Sequence, residues 1–299
     1  MQKTFRKRKV RPLVCLLFLL IIVFFCYFEN NVITVSEFIV SDKKIPQSFD
    51  GVVIAHVSDL HNKMFGDNQS RLVGKIKEWN PDLIVITGDL IDSNRPDVEK
   101  GLALVREAVK IAPVYFVTGN HDNWLSDTDT FELFRGLEDS GAVVLKDEKR
   151  KLVFGKNEEY ITLIGLDDDT LCAKSDLRKA LDSLIRSDMQ SADQHADKIS
   201  EEVQRPFVIM LAHQPQLLPV YSEYDIDLVL SGHAHGGQFR IPFIGGFVAP
   251  DQGFLPKYTK GMYEENNTKM IVSAGLGNSV VPQRLLNRPE LVKITLKCK

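Results

Sequence analysis

The fold is decided by a stretch of ten residues, VVIAHVSDLH, at positions 52–61. Residues 52–57 are apolar except for His56 and rich in valine, which is typical of a buried β-strand. Asp59 and His61 follow at once, and both side chains can bind a metal ion. We expect them to reach the same ion, because they lie two residues apart where the strand gives way to a loop. His56 lies within the strand and is interpreted as structural.

The same pattern of short apolar strands recurs along the chain. Strands are predicted at Val52–Val57, Leu83–Thr87, Val114–Thr118, Ile161–Leu166, Phe207–Leu211 and Leu228–Leu230, with helices at Ser70–Trp79, Asp97–Ile111 and Thr130–Ser140. This alternation predicts an α/β protein with largely buried strands. Three further strands are predicted at Asn31–Val40, Lys269–Ala274 and Leu291–Lys297. The last two have fewer helices between them and indicate a second, mixed sheet.

Two other features are assigned no chemistry. The segment Lys174–Gln204 is polar and rich in charge, so it predicts a solvated helix or surface insertion, and His195 within it is not interpreted as a ligand. Of the four cysteines, two lie in the apolar N-terminal run, and only Cys172 and Cys298 remain. With no C-x-x-C motif, they indicate neither a metal site nor a disulfide framework.

The N-terminal segment differs from the rest of the chain in charge and hydropathy. The 299 residues carry a net charge of −3, but residues 1–12 contain six Lys or Arg and no acidic residue, which leaves −9 for the remainder. Residues 13–28 form an unbroken apolar run. As a helix this run spans about 24 Å, slightly less than a hydrocarbon core of about 30 Å.

This run predicts an uncleaved signal anchor. The residues after it, Glu29-Asn30-Asn31, lack the small side chains of a cleavage site. The alternatives are a cleaved signal peptide and a buried helix. By the positive-inside rule, residues 1–12 form a basic cytoplasmic segment, residues 13–28 cross the cell membrane once, and the domain at 31–299 lies on the outer face. The overall composition, 44% apolar and 26% charged, excludes collagen-like, disulfide-scaffold and wholly disordered proteins.

Residues that can bind metal follow five of the predicted strands. They lie in the segments SDLH (58–61), TGD (87–89), TGNHD (118–122), LAH (211–213) and SGHAH (231–235). In open α/β sheets, ligands bind beyond the carboxyl ends of the strands, so we expect these segments to converge. Neutral imidazole and carboxylate suit Mn, Fe or Zn, and a carboxylate has two oxygens that can bridge two cations.

The ordered set D-x-H, G-D, G-N-H-D, H and G-H-x-H resembles that of the calcineurin-like metallophosphoesterases, and the likeness extends from residue 51 to the C-terminus. The resemblance implies an α/β fold, a four-layer α/β/β/α sandwich of two mixed sheets, here preceded by one transmembrane helix. It also implies two divalent metal ions. One would be held by Asp59, His61, Asp89 and His235, and the other by Asp89, Asn120, His213 and His233. Asp89 would then bridge the two ions.

The reaction implied by the resemblance is phosphoester hydrolysis by water activated between two ions. His121 matches the family histidine that stabilises the transition state or protonates the leaving group. Asp122 is expected to orient His121, with a helix-cap or turn role as the alternative. Asp92 either supports the site from behind or is an ordinary turn residue.

Residues 236–247 and 275–284 resemble the membrane-anchored bacterial branch of this family. That branch includes enzymes similar to UDP-diacylglucosamine pyrophosphohydrolases, so the expected substrate is a lipid-linked or cell-envelope phosphoester. Arg240 and Arg284 are expected to contact a phosphate or headgroup, and Phe243 an acyl chain. The alternatives are surface salt bridges for the arginines and packing of the second sheet for Phe243.

Two other functions stay open at this point. A nuclease or a cyclic-nucleotide phosphodiesterase would use the same ligands, but the charge of −9 in residues 13–299 argues against nucleic acid as a partner. A non-catalytic metal-binding scaffold on the membrane would be expected to have lost a ligand, and none is missing. The sequence does not specify the oligomeric state.

Overall fold

Two six-stranded mixed β-sheets lie at the centre of the molecule. The structure is a computed structural model, which describes residues 5–155, 159–186 and 205–299. The strands are β1 (Thr34–Asp42), β2 (Val53–Val57), β3 (Leu83–Thr87), β4 (Val114–Val117), β5 (Val143–Val144), β6 (Glu148–Val153), β7 (Tyr160–Gly165), β8 (Val208–Leu211), β9 (Leu228–Ser231), β10 (Arg240–Ile241), β11 (Gly245–Gly246), β12 (Val248–Ala249), β13 (Gly253–Phe254), β14 (Gly261–Glu265), β15 (Thr268–Val272) and β16 (Glu290–Cys298). The α-helices are α1 (Phe5–Asn31), α2 (Ser70–Glu78), α3 (Val98–Ala108), α4 (Asn120–Asn123), α5 (Asp127–Ser140), α6 (Asp168–Leu171), α7 (Lys174–Leu181) and α8 (Leu218–Tyr221).

The first sheet has the strand order β1-β16-β2-β3-β4-β5, and the second has the order β14-β15-β9-β8-β7-β6. In the first sheet, β2 to β5 are parallel and β16 runs antiparallel to β2. In the second sheet, β7, β8, β9 and β15 are parallel, and the edge strands β6 and β14 are antiparallel to their neighbours. Two short hairpins, β10–β11 and β12–β13, lie outside the sheets.

The pleat of β2 shows how the four layers form. Ile54 belongs to the apolar core between the two sheets, whereas Ala55 and Val57 belong to the core that includes residues of α2, α3 and α5. Successive side chains of a strand point to opposite faces, so both faces of the sheet are buried. A third core joins the second sheet to α6, α7 and α8. The predicted α/β/β/α sandwich of two mixed sheets is confirmed.

Helix α1 differs from the others in its surroundings. Its segment Pro12–Asn31 is long and apolar enough to cross a membrane, by length and composition. Its last turn packs on the rest of the chain, because buried Glu29 accepts a hydrogen bond from the Asn287 backbone N–H at 3.0 Å. Asn30 Nδ2 also donates to the Pro282 carbonyl at 2.9 Å. The sequence predicts that the folded domain starts at residue 31. Glu29 and Asn30, just before that position, form hydrogen bonds with the domain.

Three sequence-based expectations differ from the structure or lie outside it. The C-terminal strand, β16, lies in the first sheet between β1 and β2 rather than in the second. The strand expected from Asn31 begins at Thr34, because α1 continues to Asn31. His195 lies outside the described residues, as does most of its polar segment.

Candidate metal centre

The carboxyl ends of β2, β3 and β4 in the first sheet meet those of β8 and β9 in the second. The backbone N–H of Asp59, after β2, donates to the carbonyl of Gly88, after β3, at 3.0 Å. The backbone N–H of His233, after β9, lies 3.0 and 3.1 Å from the two carboxylate oxygens of Asp59 and so joins the sheets. The five segments that were expected to converge do so at this junction.

The backbone at this junction adopts an unusual conformation. Five candidate ligands have φ in the left-handed region, namely Asp59 (51°), His61 (46°), Asp89 (52°), His233 (65°) and His235 (46°). Non-glycine residues seldom adopt this region, and such residues cluster at functional sites. Position 119 requires glycine because the Asp89 side chain lies close to the backbone there, and a Cβ would be 2.3 Å from Asp89 Oδ1. Tight turns after β2, β3 and β9 therefore bring ligand side chains into the junction.

One group of ligand atoms comes from Asp59, His61, Asp89 and His235, which are all buried and whose atoms lie within 4.8 Å of one another. His61 Nε2 is 3.4 Å from Asp89 Oδ2 and 3.1 Å from His235 Nε2. His235 Nε2 is 3.5 Å from Asp59 Oδ1. Two imidazole nitrogens that face each other between two carboxylates suit a shared cation.

A second group comes from Asp89, His213 and His233. His213 Nε2 is 3.4 Å from Asp89 Oδ2 and 3.2 Å from His233 Nδ1. His213 Nδ1–H donates to the Thr87 carbonyl at 2.7 Å, so its Nε2 keeps a lone pair for a ligand role. His233 Nε2 lies 2.8 Å from Asp251 Oδ2, which leaves His233 Nδ1 toward the group. Asp89 belongs to both groups, so its carboxylate is placed to bridge two ions.

Two buried polar atoms of the junction have no hydrogen-bond partner among the described residues, Asn120 Oδ1 and His61 Nδ1. Asn120 lies beside the second group, because the backbone N–H of its neighbour His121 donates to Asp89 Oδ1 at 2.8 Å. A buried polar atom without a partner costs about 1–3 kcal/mol, and a cation at this position would remove that cost for the amide oxygen. The oxygen and nitrogen donors, with no thiolate, fit two divalent ions.

Burial and neighbouring charges shift the pKa values of four of the candidate ligands. Burial raises the pKa of Asp89, but His213 and then His61 lower it well below its usual range, so the carboxylate is ionised. Burial lowers the pKa of His61 to about 3. Burial and the charge of Arg284 hold the pKa of His235 well below its usual value. Burial opposes protonation of His213, but Asp89 raises the pKa of that ring well above its usual value, so a cation there would replace a proton.

His121 lies beside the first group, with its ring centroid 4.6 Å from that of His61. The backbone N–H of Ser93 donates to His121 Nδ1 at 3.2 Å, so the proton of the neutral ring is on Nε2. His121 Nε2 lies 3.1 Å from Ser279 Oγ. Asp92 Oδ1 lies 3.6 Å from His121 Nδ1. The ring is thus held in a form that can donate a proton from Nε2.

Asp122 does not occupy the place expected for it. Its Oδ1 accepts from the backbone N–H of Ile91 at 3.1 Å and its Oδ2 from that of Gly119 at 3.0 Å. Adjacent residues of a helix do not face each other, so in α4 the carboxylate binds backbone instead of His121. This is the helix-cap role that was the alternative, and Asp92 makes the contact with His121. Burial, and then the charge of Asp89, raises the pKa of Asp122 to about 7.

Arg284 is 0% exposed, which differs from the predicted contact with a headgroup. Its guanidinium donates to the carbonyls of Ala274 at 2.8 Å and Gly277 at 3.1 Å. Its Nη2 lies 3.4 Å from His235 Nδ1. A side chain without exposed surface has none to offer a substrate. We propose instead that Arg284 positions His235 by holding the loop at 274–277 against it.

Arg240 and Phe243 lie on the hairpin β10–β11. Arg240 Nη1 donates to the Gly236 carbonyl at 2.8 Å and lies 3.2 Å from Thr259 Oγ1. This places the guanidinium next to the backbone that follows His235. Phe243 is fully exposed at the hairpin turn. Neither residue belongs to a ligand group, and their contact with substrate stays a prediction.

The family profile described as calcineurin-like phosphoesterase matches residues 52–237. The uncharacterized metallophosphoesterase YkuE of Bacillus subtilis (strain 168) is 31% identical over 277 residues, which cover 91% of this chain and 88% of YkuE. The chain belongs to the calcineurin-like phosphoesterase family. A transmembrane protein with metallophosphoesterase domain from Danio rerio is 30% identical to this phosphoesterase over 267 residues, which cover 85% of the chain and 55% of that protein. Among solved structures, TT1561 of Thermus thermophilus aligns with a TM-score of 0.44 and 12% identity, covering 76% of this chain and 90% of that one.

The protein is therefore a metal-dependent phosphoesterase that hydrolyses phosphoester bonds with two divalent ions. Two buried groups that share Asp89 offer ligands for these ions, and His61, Asp92 and His121 form a third buried group beside them. Both nitrogen and carboxylate ligands are present, so the donor set leaves the choice among Mn, Fe and Zn open.

Several residues of this phosphoesterase were not singled out in the sequence. Ser93 and Ser279 contact His121, and Asp251 contacts His233. They lie in loops far along the chain from their partners, and no motif spacing marks them. Lys63 lies two residues after His61, and that closeness to a ligand is the one signal that could have found it. Burial, together with the charges of Arg284 and Arg71, lowers the pKa of Lys63 to about 7.

Proposed function

We propose that this phosphoesterase is tethered to the cell membrane through α1 and hydrolyses a lipid-linked or cell-envelope phosphoester at the outer face. The observation that carries the proposal is the packing of the last turn of α1 on the loop that also holds the metal centre. Asn287, whose backbone N–H donates to Glu29, also donates from Nδ2 to the His235 carbonyl at 2.7 Å. An apolar helix and a candidate metal ligand are thus linked through one residue.

The chain's own residues have separate tasks in the reaction. When bound, two divalent ions supply Lewis-acid polarisation of the phosphoryl oxygens and lower the pKa of water. The candidate ligands are Asp59, His61, Asp89, Asn120, His213, His233 and His235. His121 Nε2–H is the group that stabilises charge on the phosphoryl oxygens or protonates the leaving oxygen. The Ser93 N–H donates to His121 Nδ1 and holds the orientation of the ring, and Asp92 Oδ1 lies 3.6 Å from the same nitrogen.

An exposed apolar surface supports the membrane location. We call it the apolar tip surface, and it consists of Ile241, Phe243, Ile244, Phe247, Phe254, Leu255, Leu285 and Leu286, whose side chains are 37% to 109% exposed. Its parts are joined, because the Arg240 N–H donates to the Leu285 carbonyl at 2.9 Å and the Leu255 N–H to the Phe247 carbonyl at 2.9 Å. Contiguous exposed apolar surface of this kind marks an interaction site.

The apolar tip surface adjoins the end of α1. Gln283 Nε2, two residues before Leu285, donates to the Cys26 carbonyl at 3.2 Å. The guanidinium of Arg288, two residues after Leu286, lies 5.3 Å from the centre of the Phe28 ring. If α1 spans a bilayer, the surface lies at the level of its interface, where aromatic and aliphatic side chains bind lipid.

This arrangement favours an amphiphilic substrate. A phosphoester with acyl chains in the bilayer would present its headgroup beside α1, and Arg240 and Phe243 would contact headgroup and chain. A UDP-diacylglucosamine-like pyrophosphate has this chemistry and is one candidate.

The test uses the full chain in lipid nanodiscs with Mn²⁺. A panel of a UDP-diacylglucosamine-type pyrophosphate, phosphatidic acid and phosphatidylglycerol is incubated, and the products are measured by mass spectrometry. At least one lipid should be hydrolysed, and Asp89→Asn should lower its rate about a hundredfold or more because the shared ligand is lost. Asp139→Asn is the matched control, since Asp139 on α5 is 73% exposed and its ion pair with Arg135 is a surface pair.

Other outcomes identify the alternatives. Hydrolysis of cyclic nucleotides or salt-sensitive cleavage of DNA, without lipid turnover, would contradict the proposal and indicate a nuclease or phosphodiesterase. Two bound ions with no turnover of any phosphoester would indicate a metal-binding scaffold.

A further inference from the structure

A cavity of about 420 Å³ lies between the metal centre and the end of α1. His61 and Asp92 line it on the side of the ligand groups, and Asn30 and Asn31 of α1 also line it. It is therefore open to the centre and is bounded in part by the helix.

Lys63 brings to the cavity wall a basic side chain that has no anionic partner among the described residues. Its ammonium group donates to the backbone carbonyl of Asn30 and lies 5.3 Å from the centre of the Phe65 ring. Neither partner carries a negative charge, and no ion pair found among the described residues includes Lys63. Lys63 is half-buried, and partial burial of an ammonium without a counter-ion is costly, so an anion in the cavity would be bound favourably.

Two other cations line the cavity but are already paired. Arg95 Nη2 lies 3.2 Å from Asp92 Oδ2, and its side chain is 75% exposed. Lys100 Nζ lies 2.7 Å from Asp97 Oδ2, and its side chain is 49% exposed. Exposed pairs contribute little to binding because solvent screens them, so Lys63 is the decisive group.

Resting on the proposed function, we propose that this cavity binds a second anionic group of the substrate, of phosphate type, through Lys63. The scissile phosphoester would lie at the ligand groups that include His61. The preferred substrate class is then a phosphoester with two phosphate groups, a pyrophosphate or a bisphosphate, rather than a simple diester. Because Asn30 and Asn31 belong to α1, the second group could come from a lipid headgroup or from a soluble phosphate.

The test compares two substrates that differ only in the second phosphate, p-nitrophenyl propyl phosphate and p-nitrophenyl 3-phosphopropyl phosphate. The full chain is assayed with Mn²⁺ in nanodiscs of phosphatidylcholine, as wild type, Lys63→Met and Lys63→Arg. Lys110→Met is the matched control, because Lys110 is an exposed lysine paired with Glu107. We expect wild type and Lys110→Met to favour the bisphosphate about tenfold or more in kcat/KM. Lys63→Met should lower this ratio to about one, and Lys63→Arg should restore part of it.

A binding measurement keeps the cavity assignment separate from the proposed function. Calorimetry with propane-1,3-diyl bisphosphate and propyl phosphate should show tighter binding of the bisphosphate by wild type, and no such difference in Lys63→Met. If neither ester is hydrolysed, the proposed function fails, while calorimetry still decides the assignment. Equal kcat/KM for the two esters in wild type, or a preference that Lys63→Met leaves intact, would overturn the assignment.

A lipid arm distinguishes the two sources of the second group. In nanodiscs that contain phosphatidic acid, a headgroup bound at Lys63 would compete with the bisphosphate and reduce its preference in wild type. An unchanged preference would assign the site to a phosphate carried by the soluble substrate.

Discussion

At the scale of single residues, the metal centre depends on side chains whose backbone is strained. Left-handed conformations of the kind seen at Asp59 and Asp89 cost on the order of 1–3 kcal/mol each. Hydrogen bonds across the junction hold them, including that from the His233 N–H to Asp59. Cation binding to ligands arranged in this way would offset part of the cost.

His121 gives a prediction that depends on the leaving group. His121→Gln should lower kcat about 10² to 10⁴-fold for an alkyl phosphoester, because an alkoxide needs a proton as it leaves. The loss should be much smaller for a p-nitrophenyl ester, since p-nitrophenolate leaves without protonation. Steady-state kinetics with both esters measures this ratio. Equal losses would show that His121 does not protonate the leaving group.

His56 gives a prediction about stability and pH. Its Nε2 lies 2.8 Å from Thr87 Oγ1, its Nδ1 has no partner among the described residues, and burial lowers its pKa to about 3. The unfolded ring takes up a proton below about pH 6.5 and the folded ring does not, so this contribution to stability is lost as pH falls. Between pH 7 and pH 5 the loss should be about 2 kcal/mol.

The check is urea unfolding of the full chain in detergent at both pH values. His56→Leu has no imidazole to titrate, so its free energy of unfolding should fall by about 2 kcal/mol less than that of wild type. Ligand histidines titrate in both proteins and cancel in the comparison. An identical fall in the two proteins would contradict the assignment to His56.

The residue types of the centre were predictable because each ligand follows an apolar strand whose end the sequence marks. The partners of His121 were not predictable from the sequence, because Ser93 and Ser279 lie in loops that approach His121 only in the folded chain. Asp122 was predicted to orient His121 because the two residues are adjacent in sequence. Adjacent residues of a helix do not face each other, so the Asp122 carboxylate binds backbone N–H groups instead. Arg284 was predicted to contact a headgroup because an arginine in a polar loop is typical of a protein surface. Its burial depends on hydrogen bonds to carbonyls of the 274–277 loop, which the sequence does not reveal.

At the scale of elements, hydrophobic periodicity and residue composition predicted the bounds of most strands of both sheets within one or two residues. They did not predict that β16 inserts between β1 and β2. Hydrophobic periodicity identifies a strand, but it carries no information about which neighbouring strands it pairs with. The predicted apolar run was shorter than α1, which continues to Asn31. The apolar run ends where polar residues begin. The helix continues past that point because Glu29 and Asn30 form hydrogen bonds with the domain.

The hairpin β10–β11 gives a prediction about membrane contact. Phe243→Trp in nanodiscs with brominated phosphatidylcholine should add fluorescence that the bromine quenches, because the proposed function puts the apolar tip surface at the membrane interface. Phe131→Trp is the matched control, since Phe131 is 65% exposed on α5, which packs near β5 at the sheet edge opposite β1. Equal quenching of the two added tryptophans would contradict the proposed contact.

At the scale of the whole molecule, the net charge of −3 divides into two parts. Six positive charges precede the apolar run, and the acidic excess lies in the rest of the chain. Part of that excess is buried at one place, where Asp59, Asp89 and Asp92 lie at the junction of the sheets. Two divalent cations there would offset it, so the formal charge overstates that of the metal-loaded protein.

The central claim is that two ions at the shared carboxylate of Asp89 are needed for phosphoester hydrolysis. The most direct measurement titrates Mn²⁺ into the chelator-stripped full chain and follows bis-p-nitrophenyl phosphate hydrolysis against bound metal. The rate should reach its plateau at two ions per chain and should stay at least about a hundredfold lower in Asp89→Asn. A full rate with no more than one bound ion, or no turnover with two ions bound, would contradict the account.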